Sequence, residues 1–280
     1  MEKAIKKYFP IFVLPTLIAF MIGFIVPFCY GLYLSFCEFT TVTDTSFVGF
    51  KNYIAIVQDT DFLHSLLFTS LFTVASIVTI NLLAFTVAML LTKGIKGTNL
   101  FRTVFFMPNL IGGIILGYIW QLLINGVLLH FDRTLTYSPS YGFWGLLVLM
   151  NWQQIGYMMI IYIAGIQSIP GELVEAAQID GASKWQVLRN VTIPMVMPAI
   201  TISTFLTLTN SFKLFDQNLA FTSGEPSNKT EMLALNIFNT FYGRIGWEGV
   251  GQAKAVIFLL LVATIGLLQL KLTRSKEVQQ

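Results

Sequence analysis

The amino-acid sequence predicts an all-α, polytopic membrane protein with six transmembrane helices. Three observations carry that reading. Of 280 residues, 55% are hydrophobic and only 11% charged, against about 25% charged in an average soluble domain. Six apolar runs lie near residues 11–36, 63–92, 102–124, 143–167, 196–220 and 251–271. Each is long enough for the roughly 30 Å hydrocarbon layer, which takes about 20 helical residues. None alternates with the period of two that a membrane barrel needs. Lipid offers no partner to loose backbone groups, so each run must be helical. The whole chain, 1–280, reads as one membrane domain.

Charge placement orients the spans. With a cytoplasmic N-terminus, eleven Lys and Arg residues fall inside: Lys3, Lys6, Lys7, Lys93, Lys96, Arg102, Lys184, Arg189, Lys271, Arg274 and Lys276. Six fall outside, and the acidic residues divide five inside to nine outside. Cytoplasmic segments carry the basic excess, which puts both termini and the segment 171–198 in the cytoplasm. The net charge of +3 is too small to suggest a nucleic-acid partner. Lys3, Lys6 and Lys7 precede a run too long for a signal peptide and without a small-residue cleavage site, so it reads as a first span that stays.

In chain order, Pro15 and Pro27 predict kinks in span 1. Cys29 and Cys37, if both on one helix, are about 12 Å apart along its axis, too far for a disulfide, and read as packing residues. Segment 37–61 reads as an external loop. Asn81 in span 2 predicts a hydrogen bond to a neighbouring helix. In span 3, Pro108 unlatches the helix, Asn109 beside it faces a central cavity, and Gly112, Gly113 and Gly117 allow close packing. Segment 125–142 reads as a loop. Met150, Gln154 and Tyr157 share one face of span 4, with Gln153 adjacent; glutamines in an apolar helix call for polar partners or water. At the outer end of span 5, Asn210, Ser211 and Leu214 cluster, and Lys213 with Asp216 has the spacing of an ion pair. External segment 221–250 holds Tyr242, Gly243, Gly246, Trp247 and Gly249, suited to an extracellular partner. The tail 272–280 reads as polar and loose.

The segment Gly171–Pro198, GELVEAAQIDGASKWQVLRNVTIPMVMP, is too polar to span and too patterned for a plain loop. Glu172 and Glu175 suit the first turns of a helix. Asp180-Gly181 signals a turn. Ser183 and Gln186 have capping-box spacing. The prediction is a helix–turn–helix knuckle with apolar side chains but no core of its own; the competing reading is an amphipathic helix in the headgroups.

Glu175-Ala176-Ala177, Asp180-Gly181-Ala182 and Ile193-Pro194 resemble the EAA loop of bacterial binding-protein-dependent ABC importers. The stretch 47–53, the opening Phe101–Asn109 and the run Ser211–Asp216 with Thr222–Pro226 are similar to maltose-type sugar permeases of that family. The resemblance covers nearly the whole chain. It implies the type I ABC importer permease fold in a bacterial plasma membrane. It implies a second homologous permease, two ATP-binding subunits, an extracytoplasmic binding protein and a carbohydrate cargo, with lipid around the spans. It assigns ATPase coupling to Glu175, Ala176, Ala177, Gly181, Ile193 and Pro194. It puts cargo contacts near Asn109, Met150, Gln154, Asn210, Ser211 and Leu214, to which the span 4 stripe adds Tyr157.

Catalytic chemistry finds no support in the residues. His64 and His130 lack metal-ligand spacing, and no nucleophile–base motif occurs. No G-x-x-x-x-G-K-[ST] loop is present, so no cofactor is expected here and ATP belongs to partner subunits. Two alternatives stay open: a permease for a glycerol phosphoester, using Lys213, and an ion-driven secondary transporter, which the near absence of central charges disfavours. An integral-membrane enzyme is a third class.

Overall fold

The computed structural model describes residues 2–41 and 43–275; Lys276 and the end of the expected loose tail lie outside the described residues. The chain runs α1 (Glu2–Phe20), α2 (Val26–Leu34), a hairpin of β1 (Cys37–Thr41) and β2 (Asp44–Phe47), α3 (Lys51–Gln58), α4 (Thr60–Leu91), α5 (Thr98–Phe106), α6 (Gly113–Leu128) and α7 (Pro139–Gln167). It continues as α8 (Gly171–Ile179), α9 (Lys184–Val187), α10 (Ile193–Met195), α11 (Met197–Phe212), α12 (Asp216–Phe221), α13 (Leu233–Gly243) and α14 (Glu248–Arg274).

Among the described residues, five helical runs are long and apolar enough to cross a membrane: Ile11–Leu34, Thr60–Leu91, Gly113–Phe131, Pro139–Gln167 and Glu248–Arg274. A sixth is Lys184–Met195 with Met197–Phe212, a pair bent by 68°. Two expected spans differ in detail. The run 102–124 is broken: α5 ends at Phe106, Met107–Leu110 is a 3-10 turn, and Ile111 is extended. Pro108 supplies no N–H to continue the α-helix. The run 196–220 stops at Phe212 and restarts at Asp216.

The expected external loops also carry structure. Segment 37–61 contains the antiparallel hairpin, with Cys37 opposite Phe47, and α3. Residues 125–142 prolong α6 and then form 3-10 turns at Leu129–Phe131 and Leu135–Tyr137. Segment 221–250 contains α13.

Two prolines shape their helices in the same way. A π-helical turn at Met21–Ile25 ends two residues before Pro27, and another at Leu188–Thr192 ends two residues before Pro194. Proline cannot donate to the carbonyl four residues back, and its ring crowds that carbonyl. A widened turn moves the carbonyl aside without ending the helix.

Contacts divide the chain into two compact units, 1–60 with 237–259, and 61–236 with 260–280. In the first, Leu34, Cys37 and Phe39 form a small core against Phe241. Cys29 and Cys37 are free thiols, and Cys37 is on a strand. Asn52 donates from its amide to the carbonyls of Ser35 and Cys37 at 2.9 and 2.8 Å, fixing α3 to the hairpin. A Cβ at Gly249 would collide with the Cys37 carbonyl oxygen, so Gly249 is a packing residue and not part of a free external surface. Tyr242 is 72% exposed. Lys254, wholly buried, donates to Asp59 Oδ2 at 2.8 Å and to Thr240 Oγ1 at 2.7 Å.

In the second unit, α7 is the central helix, and 61% of its apolar window is buried. The core gathers Phe72, Ile80, Leu116, Leu146, Met150, Met158, Tyr162, Val196 and Phe221. Backbones approach closely where side chains are absent. Gly156 meets the Phe105 carbonyl, Gly117 meets α12 at Gln217 and Ala220, and Gly113 meets Asp216 and Gln217. Gly112, expected to pack likewise, has nothing within 4 Å. Asn81 joins three helices: Tyr162 Oη donates to its Oδ1 at 2.7 Å, and its Nδ2 donates to Thr207 Oγ1 at 3.4 Å. Asn81 therefore packs helices together, as its position in span 2 predicts.

Candidate coupling knuckle and cargo recess

The knuckle begins where Pro170 starts α8. The helix ends in a paired cap. Gly181 N–H donates to Gln178 O at 3.1 Å, and Ala182 N–H donates to Ala177 O at 2.9 Å. This is the hydrogen-bond pattern of a Schellman motif, with Gly181 at φ +82° in the region that favours glycine. Ser183 then caps α9 reciprocally: its Oγ accepts from Gln186 N–H at 3.4 Å, and Gln186 Oε1 accepts from Ser183 N–H at 2.7 Å. The two caps fix the angle between the short helices with local chemistry alone.

What the knuckle presents is apolar. Ile179 is 86% exposed, Trp185 66% and Leu173 44%. Burying one such side chain is worth roughly 1.5–3 kcal/mol, so their exposure is a cost the folded chain carries. Of the expected coupling residues, Glu175 and Ala176 are exposed and Ala177 half-buried. Gly181 makes the turn. Ile193 and Pro194 form α10, half-buried just before the 68° bend into α11.

The second feature is a recess in the membrane-spanning bundle. Met150, Gln154, Asn210, Lys213, Leu214 and Gln217 line a cavity of about 190 Å³. The structure brings together four expected cargo residues there: Met150, Gln154, Asn210 and Leu214. It does not bring Asn109, Tyr157 or Ser211 into the lining. Asn109 is half-buried on the 3-10 turn. Tyr157 tilts against Phe106 with ring centroids 6.5 Å apart. Ser211 is fully buried, and its Oγ has no hydrogen-bond partner; one residue along a helix from Asn210, it turns about 100° away from Asn210's face.

Gln217 was not among the expected cargo residues, and Lys213 was named only for the alternative phosphoester cargo. Asn210, Lys213, Leu214 and Gln217 follow i, i+3, i+4, i+7 spacing, a legible helical stripe. Reading Lys213 as the partner of Asp216 hid it. Lys213 and Asp216 form no ion pair in the structure. Asp216 instead occupies the first turn of α12, where a carboxylate suits the helix dipole.

The recess wall is partly braced. Gln217 Nε2 donates to Gln153 Oε1 at 2.8 Å, and Gln153 Nε2 donates to Ile111 O at 3.3 Å. Asn210 Nδ2 donates to Gln154 Oε1 at 3.4 Å. Among the described residues, four polar groups on the lining have no partner: Gln154 Nε2, Asn210 Oδ1, Gln217 Oε1 and Lys213 Nζ. Four of the six lining residues are polar and only Met150 and Leu214 are apolar, and a set of convergent polar side chains fixes the orientation of a small ligand. Among the described residues no cluster of His, Cys, Asp and Glu is arranged to hold a metal.

Residues 80–277 match the model of binding-protein-dependent transport system inner membrane components. The chain belongs to that family. The permease is 44% identical over 277 residues to a probable starch degradation products transport system permease protein, AmyD, of Thermoanaerobacterium thermosulfurigenes; the match covers 96% of this chain and 94% of the relative. It is 32% identical over 289 residues to the multiple sugar-binding transport system permease protein MsmF of Streptococcus mutans, covering 99% of both chains. A solved bacterial alginate ABC transporter, in complex with an alginate pentasaccharide-bound periplasmic protein, superposes with TM-score 0.81 at 18% identity over 98% of the permease and 97% of that chain. That likeness gives the type I ABC importer permease fold. The permease is thus a multi-pass inner-membrane transport component.

Proposed function

We propose that this permease is one of two homologous membrane subunits of an ATP-driven importer for a sugar or oligosaccharide. Two ATPase subunits dock on the knuckle, and an extracytoplasmic binding protein delivers the cargo. One observation carries the reading: a doubly capped knuckle holds Ile179 and Trp185 in water, in a chain whose sequence has no phosphate-binding loop. A rigid, apolar, cytoplasmic projection is what a separate ATPase can grip. Relatives named for starch degradation products and for multiple sugars support the cargo class. On this reading both termini are cytoplasmic, in agreement with the basic excess on that side.

In this mechanism Ala176 and Ala177, being small, let α8 enter a groove closely, and Glu175 meets a cation of the ATPase. Movement of the knuckle passes through Ile193-Pro194 and the bend into α11, which carries Asn210 toward the recess. Alternating access is then a switch between discrete packings. By linkage, the loaded binding protein favours the ATPase-closed state. Lys213, unpaired in the recess, is the observation that favours a second cargo, a glycerol phosphoester.

The test is reconstitution. Purified permease, its genomic neighbours and ATP are expected to move labelled maltotriose into vesicles, and deletion of 172–190 is expected to abolish ATPase co-purification while membrane insertion persists. Retained co-purification would overturn the coupling role.

A further inference from the structure

We propose that Lys213 and Gln217 are cargo-contacting residues, and that the recess selects neutral polyhydroxyl cargo over phosphorylated or carboxylated cargo. This rests on the importer reading above and decides between its two cargo classes.

The argument is a match of donors to acceptors. Gln154 spends its oxygen on Asn210, and Gln217 spends its nitrogen on Gln153. The groups left over on the lining are two donors, Gln154 Nε2 and Lys213 Nζ, and two carbonyl acceptors, Asn210 Oδ1 and Gln217 Oε1. A sugar hydroxyl both donates and accepts, so adjacent hydroxyls satisfy both kinds. A phosphate or carboxylate only accepts. That group pairs with Lys213 but brings no proton to Asn210 Oδ1 or Gln217 Oε1, so an anionic cargo has one donor fewer for them than a neutral sugar of the same size. Unpaired polar groups of that sort reject a ligand more strongly than apolar misfit does. Phosphate sites also gather several cations or backbone N–H groups, and Lys213 is the sole cation on this lining.

Met150 and Leu214 supply the apolar wall against which a sugar ring lies. Lys213 therefore serves as a hydrogen-bond donor, on an arm long enough to reach a hydroxyl. Gln217 serves as an acceptor held in place by Gln153 behind it.

The experiment uses the importer assembled with its own partner chains in vesicles. Its probes are a panel of labelled neutral mono-, di- and trisaccharides including maltotriose, with glycerol 3-phosphate and a uronic-acid disaccharide as anionic probes. At saturating binding protein, Lys213→Met is expected to lower the neutral-sugar rate about tenfold, the effect of one lost charge-assisted hydrogen bond. Lys213→Gln, which keeps N–H donors without the charge, is expected to lose less than Lys213→Met. Co-elution of all subunits checks that each variant assembles. Equal loss in both variants, an unchanged Lys213→Met, or transport of an anionic probe by the wild type would overturn the inference. If the wild type moves none of the neutral sugars under ATP, the importer reading itself falls; if it moves one and Lys213→Met is unaffected, only this inference does.

Discussion

Lys254 shows how far a single residue can depart from its local sequence. It sits in an apolar helix, is wholly buried, and finds its carboxylate partner 195 residues away at Asp59. Thr240 takes a second ammonium proton, and Arg244 approaches the same carboxylate at 3.5 Å. Removing one member of a buried pair leaves an uncompensated charge and costs about 3–5 kcal/mol. Lys254→Met is therefore expected to lower the unfolding temperature in detergent markedly. Arg244→Met, whose side chain is 37% exposed, is expected to lower it little, since exposed pairs contribute about 0–1 kcal/mol. Such a pair is not readable in advance, because residue spacing reports neighbours and not contacts across the chain. Gly156 is a second point of this kind. A Cβ there would overlap the Phe105 carbonyl, and backbone cannot rotate aside as a side chain can. Gly156→Ala is expected to abolish accumulation of folded protein, measured as monodisperse material after detergent extraction.

At the scale of elements, legibility depends on whether the signal is local. Both knuckle helices, the glycine turn and the capping box are written in contiguous residues, and the structure has each of them. The breaks at Met107–Leu110 and at Lys213–Phe215 are less legible, because apolar residues continue through them and hydropathy does not register a change of backbone path. Pro108 marks the first break; the second carries no proline or glycine. The hairpin at 37–47 is too short for alternation to declare it. In the recess, four residues were readable from the stripes on spans 4 and 5; Lys213 was obscured by an ion pair assumed from spacing alone, and Gln217 lies past the break at Lys213–Phe215. The knuckle also gives an element-level prediction. Ser183→Ala removes a cap worth about 1 kcal/mol, and Gly181→Ala strains a left-handed turn by a similar amount. Each is expected to loosen α9, seen as faster amide exchange at 184–187. The double variant is expected to weaken ATPase co-purification more than either single change.

For the whole molecule, the claim that matters is sidedness. Cys29 and Cys37 replaced by Ser, with Ser183→Cys added, makes a single-thiol chain. An impermeant maleimide is expected to label it in inverted vesicles and not in intact cells. Labelling from outside would overturn the orientation and the coupling role with it.

Ile179 and Trp185 have one more effect, on a copy that has met no ATPase. In the proposed orientation, a lone subunit shows bare oily side chains to the cytosol, where proteases and other unmatched copies can seize them. Synthesis in excess of the nucleotide-hydrolysing chains should then end in clumping or degradation, and replacing both residues by serine should lengthen the orphan's lifetime while it disables uptake. On the proposed docking of an ATPase at the knuckle, one surface would then serve both coupling and the balance of subunits.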